Sequence, residues 1–305
     1  MSNVTDASRA KLLSLTEISG IGDKRALEMV ETVGDIDAVF KVSNSAFSEL
    51  HYVTEDVSEA LQNLDDTVHQ YVNRIQTARE SGISLITPLD EKYPDQFRNH
   101  HSPLQLFLKG NEDLLNRPTV SFAGSRDAND EAVEWTTKLS SSLVDAGYCI
   151  VSGGAFGVDK AAHQAALDAG GNTILVSPSG HNKPYPKAHE ELYKDVEQRG
   201  LVISHRFPDQ KPARGGFIYR NKTNSAIGDA IVIAAAGDDG GSMAQYNIAN
   251  DQGTDVYVPS EDVGALPDEG LAQMRSDDDS VIITDSEKVI QMLNDTRGQS
   301  SLDNW

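Results

Sequence analysis

Apolar and polar positions fall into two textures along the chain. Through residues 11–80 the apolar residues recur at helical spacing, with no strand-like run. Beyond residue 83 short apolar runs recur at 120–123, 148–151, 173–177, 201–204, 230–236 and 255–258, with helical segments between them. Runs that do not alternate suit strands covered on both faces, and strands separated by helices build parallel βαβ units. The pattern therefore predicts an α/β fold: a doubly wound, mostly parallel sheet with a small N-terminal all-helical domain, and ligands at the carboxyl ends of the strands. The expected division is a helical domain over 1–82, an α/β domain over 83–297 and a flexible tail over 298–305. Pro88, Pro94 and Pro103 mark 83–111 as a connecting region entering the sheet. The segment VIITDSEKVIQMLNDTRG reads as one more strand followed by a capped helix.

The stretch YCIVSGGAFGVDKAAHQAAL organises the rest. Its apolar run ends in glycines and passes into a helix, for which Asp159 is the expected N-cap. Ala162, Ala165, Ala166 and Ala169 supply a small-residue face able to sit close to a sheet. Strand, glycine turn and helix together aim backbone N–H groups at an anion, and phosphate is the natural guest. Three strand ends carry such turns: FAGSR with Gly124, Ser125 and Arg126; SGGAFG with Ser152, Gly153, Gly154, Phe156 and Gly157; and GDDGGSMAQ with Gly241 and Ser242. None has the GxGxxG spacing of a dinucleotide site or the GK[ST] of a Walker loop. In the helical part, Gly20 and Gly22 sit in a tight connection resembling helix-hairpin-helix modules, which offer backbone N–H groups to a DNA phosphate. Lys24 and Arg25 are its bases against Glu17, Asp23, Glu28 and Glu31, so a structural or protein-binding bundle is the other reading.

Charge sharpens this picture. The 305-residue chain has a formal net charge of −21, and Asp supplies 30 of its 47 acids while Lys supplies 13 of its 26 bases. Acids spread along the whole chain suit a protein kept soluble in concentrated salt, or else an ordinary acidic protein. Within 198–222, however, Arg199, Arg206, Lys211, Arg214, Arg220 and Lys222 face the single acid Asp209, a local charge of +5. A polyanion would land there, and Phe207, Phe217 and Tyr219 interleave with the bases as stacking partners or as core. Cys149 is the one cysteine, which excludes a disulfide framework and a cysteine metal site. The N-terminal residues lack the apolar centre of a signal peptide and no long apolar run follows, so a cytoplasmic location without membrane contact is expected.

The succession YPDQF, FLKGN, FAGSR, IVSGGAFGVDKAAHQAAL, GNTILVSPSG, FIYRNKTNSAIGDAIVI and GGSMAQ resembles the DNA-processing protein A (DprA/Smf) family over about residues 83–260. The resemblance implies a Rossmann-like domain that binds single-stranded DNA, forms a homodimer and hands the strand to a RecA-type recombinase in DNA uptake or recombination. It implies no catalytic residues, no metal and no cofactor. Carried onto this chain, Arg126, the 152–157 turn and Arg220, Asn221 and Lys222 form the DNA groove. Phe156 stands where the family often has Lys or Arg, so one phosphate contact is either missing or replaced by base stacking. The other class of function is a sensor or hydrolase of a nucleotide-derived small molecule, with Asp159 and His163 as an acid/base or metal pair on one helix face. Against it, GGSMAQYNIAND lacks the glutamate that such hydrolases carry.

Overall fold

The computed structural model describes residues 4–100 and 103–302. The chain divides into two compact units, one running up to Phe107 and one from Leu108 onwards.

The first unit contains helices α1 (Asp6–Ser14), α2 (Asp23–Val33), α3 (Ile36–Val39), α4 (Glu55–Gln62), α5 (Asp65–Glu80) and α6 (Asp95–His100), with strand β1 (Ser84–Ile86). Helical spacing buries Leu12, Leu15, Met29 and Ile75 in its core. Thr5 caps α1, its hydroxyl accepting from the Ser8 N–H at 3.1 Å, and the Asp35 carboxylate likewise caps α3. In the glycine hairpin, Gly20 has φ +84°. Arg25 turns back to donate to the Gly20 carbonyl at 2.6 Å and stacks 4.7 Å over the Tyr52 ring. One of the two bases of the hairpin is thus occupied inside it.

Strand β2 (Leu106–Gly110) straddles the division, and the second unit then adds β3 (Thr119–Ala123), β4 (Cys149–Ser152), β5 (Thr173–Ser177), β6 (Leu201–Ser204), β7 (Ala230–Ile233), β8 (Asp255–Pro259) and β9 (Ser280–Ile283). Helices α7 (Asp130–Asp145), α8 (Val158–Asp168), α9 (Glu190–Arg199), α10 (Arg214–Ile227), α11 (Gly241–Gln252), α12 (Glu269–Arg275) and α13 (Ser286–Leu302) connect or follow them. Strands β3 to β9 lie in the order β6-β5-β4-β3-β7-β8-β9, and the pairs resolved between them are parallel. Val120 is opposite both Ile150 and Ala230, so β3 sits at the centre. Every residue of β3 to β7 is buried, as their mainly apolar, non-alternating runs predict. From β3 the chain builds outward through β6, then returns to start the other half at β7. The crevice above β3 and β7 is therefore the topological switch point, where such sheets bind ligands.

Several local expectations change. Strand β4 begins at Cys149, because the Tyr148 N–H still closes the end of α7 on the Leu143 carbonyl at 2.9 Å. Strand β7 stops at Ile233, although Ala234, Ala235 and Ala236 stay fully buried. Beyond it the backbone bonds fan out: Ala234 donates to Ala123, Ser125 donates to Ala235, and Ala236 donates to Pro267. Helix α8 takes Gly157 rather than Asp159 as its N-cap. Ala162, Ala165 and Ala166 are buried, while Ala169 at the end of that helix is exposed. Asp285 caps α13 by accepting from the Lys288 N–H at 2.9 Å. That helix continues to Leu302, and residues 303–305 of the expected tail lie outside the described residues.

Candidate nucleic-acid interface

The first wall of the interface is the turn after β3. Gly124 packs so tightly on α8 that a Cβ there would lie 2.4 Å from Val158 Cγ2. Ser125 is held by its N–H on the Ala235 carbonyl at 2.8 Å, and its hydroxyl accepts from the Asp127 N–H at 3.1 Å. Gly157 closes on the same turn at φ +69°, and a Cβ on it would meet the Ser125 carbonyl oxygen at 2.3 Å. Only glycine fits a left-handed backbone pressed against another backbone. The turns after β3 and β4 are thereby interlocked, with Arg126 at their junction.

The turn after β4 carries the charged centre. Gly153 lies against Arg220, since an added Cβ would fall 2.2 Å from Nη1 of that guanidinium. Arg220 Nη1 donates to Asp159 Oδ2 at 3.4 Å, with the two side chains only 11% and 3% exposed. The same carboxylate oxygen accepts from the Ala155 N–H at 3.2 Å. His163 is wholly buried between Thr173 Oγ1 and the Gly153 carbonyl, each at 2.7 Å. Because a carbonyl only accepts, Nε2 donates to Gly153, and burial pushes the imidazole pKa down. His163 is thus packed inside the turn, and its two ring nitrogens meet Thr173 and Gly153 rather than Asp159.

The third wall is the start of α11. Gly240 has φ +96°, and neither Gly240 nor Gly241 has an atom within 4 Å of where a Cβ would stand, so the backbone there is bare. No side chain caps the helix, which leaves its N–H groups available to a ligand. Gln245 Nε2 donates to the Asn221 carbonyl at 3.0 Å and ties α11 to α10.

These walls enclose one cavity of about 480 Å³ lined by Gly124, Ser125, Arg126, Arg220, Asn221, Gly241 and Ser242. A smaller apolar recess of about 60 Å³ adjoins it, lined by Gly154, Phe156, Tyr185 and Phe217 and sharing Arg126 and Arg220. Phe156 is 45% exposed and meets the His189 ring edge-on at 4.4 Å, and Tyr185 meets Phe217 in the same manner at 5.5 Å. Other expected residues lie elsewhere. Ser152 is fully buried and spends its hydroxyl on the Phe122 carbonyl at 2.8 Å. Arg214 and Lys222 are exposed on α10 and line neither cavity. The larger cavity also contains Asp127, Asp159 and Asp239, which glycine turns and basic clusters do not reveal. Among the described residues no group of three or more His, Cys, Asp or Glu could hold a metal ion. Nor, among them, is any helix long and apolar enough to cross a membrane.

The family model for DNA recombination-mediator protein A matches residues 84–294. The chain belongs to this family. Among curated relatives, protein Smf of Synechocystis is 26% identical over 263 residues, covering 83% of this chain and 65% of its own length. DNA processing protein DprA of Streptococcus pneumoniae is 35% identical over 182 residues, covering 59% of this chain and 64% of its own. The chain thus spans slightly less than two thirds of either relative. The fold follows the family. The X-ray structure of DprA from S. pneumoniae has a TM-score of 0.79 at 25% identity, over 95% of this chain and 98% of that one. A DNA processing protein A from Helicobacter pylori, solved for its single-stranded DNA binding mode, has a TM-score of 0.62 at 26% identity over 70% of this chain and 96% of its own.

Proposed function

We propose that this chain binds single-stranded DNA in the crevice above β3 and β7 and works in DNA uptake or recombination, passing the strand to a RecA-type recombinase as a homodimer. The observation that carries the reading is the convergence of Arg126, Arg220 and the bare N-terminus of α11 on one cavity. Two guanidinium groups and free backbone N–H groups are the partners a phosphodiester strand takes, and the aromatic recess beside them suits an unpaired base. On this reading the protein binds without turnover, and Asp159 is already engaged by Arg220 rather than free for acid/base work.

The test is fluorescence anisotropy with labelled single-stranded and duplex oligonucleotides across a salt series. Preference for the single strand is expected. Arg126→Ala is expected to weaken binding by about ten- to a hundredfold, the worth of one charge-assisted hydrogen bond, and to lower the salt slope by about 0.7. Equal affinity for duplex, or an Arg126→Ala variant that binds like the parent, would overturn the reading.

A further inference from the structure

Arg220 reaches the cavity from α10, and its guanidinium is held there by a different helix. Its recorded charged partner is Asp159 on α8, 61 positions earlier in the chain. That carboxylate is 2% exposed as a residue, and its Oδ2 joins the Ala155 N–H to Arg220 Nη1. Gly153 completes the seat, because a side chain there would collide with the guanidinium at 2.2 Å and with Asp159 Oδ2 at 2.6 Å. An almost buried carboxylate is costly without its cation, so the pair resists separation. A pre-oriented guanidinium also loses less freedom on meeting a phosphate than one free to swing.

From this arrangement we infer that Asp159 is a positioning residue for the DNA site: it acts through Arg220, fixing the guanidinium against the bare backbone of Gly153 so that it is presented to a strand phosphate. The inference rests on the single-stranded DNA reading above. It also runs against simple electrostatics. A carboxylate in a polyanion site repels its ligand, so a purely through-space role predicts tighter binding when its charge is removed, whereas a positioning role predicts weaker binding.

The experiment is a double-mutant cycle in the full chain, with Kd for labelled oligo-dT measured by anisotropy at fixed salt. Asp159→Asn is expected to weaken binding about tenfold in the parent and to have no effect in an Arg220→Ala background. Gly153→Ala keeps the carboxylate charge and crowds only the seat, and it too is expected to weaken binding several-fold. Thermal melting of each variant reports the fold separately. If Asp159→Asn melts below the assay temperature, Gly153→Ala alone decides, and unchanged affinity in it overturns the inference. Tighter binding by Asp159→Asn, or the same loss with and without Arg220, also overturns it. Failure of the parent chain to bind single strands would instead sink the functional reading on which the inference stands.

Discussion

At the scale of single residues, the chemistry of the crevice is set by side chains given up as much as by those present. Gly157 cannot be replaced cheaply, since its φ of +69° and the Ser125 oxygen 2.3 Å from a Cβ position leave no room. Gly157→Ala is expected to cost about 1–3 kcal/mol of stability in denaturant melts, and a neutral result would count against the interlock. His163 gives a second residue-scale prediction. Burial lowers its folded pKa, so the unfolded chain binds the proton more readily and stability falls as pH drops below about 6.5. Calorimetry between about pH 7 and pH 5 should show this fall, and His163→Gln should flatten it. Burial likewise pushes the Cys149 thiol up to about 12, in keeping with a core residue. Glycine turns and basic positions could be read locally, but not which of them line the cavity: Ser152 and Arg214 do not. The bond from Asp159 to Arg220 could not, because no local pattern joins a helix start to a side chain 61 positions later.

Elements were the most legible level. Mainly apolar runs located β3 to β8 within a few residues, because a strand covered on both faces is not forced to alternate, and the few polar residues in it, such as Ser121 and Thr173, are buried and hydrogen-bonded. The misplaced boundaries share one cause. At Tyr148 and at 234–236 the residues are as apolar as a strand, and only their hydrogen-bond partners show that they are a helix end and a diverging turn. Helix α11 shows what an element contributes beyond its side chains, since its uncapped N-terminus faces the cavity with two glycines. Gly241 has open space around it, so Gly241→Asp should be accepted sterically and should interact favourably with the helix dipole. The variant is expected to melt at or above the parent temperature while binding single-stranded DNA at least tenfold more weakly, as an anion excluded from an occupied anion site. Melting and anisotropy on the same preparation check both halves of that expectation. A fall in both would mean that the turn, and not its charge, matters.

Across the whole molecule, charge and topology pull in different directions. A formal charge of −21 repels itself and any polyanion, while the crevice sets Arg126 and Arg220 among three aspartates. Raising salt from about 0.1 M to 1 M shortens the screening length from about 10 Å to about 3 Å, which relieves the self-repulsion. The melting temperature is therefore expected to climb through this range in a thermal-shift series, and a flat or falling curve would remove the case for salt adaptation. The sheet order adds a consequence of its own. One wall of the crevice comes from the turn after β3 and the facing wall from the start of α11, which the ribosome delivers only after four further strands have been made. On the proposed reading, a chain still being synthesised would hold Arg126 and Arg220 but lack the backbone N–H groups of the last wall until α11 is made.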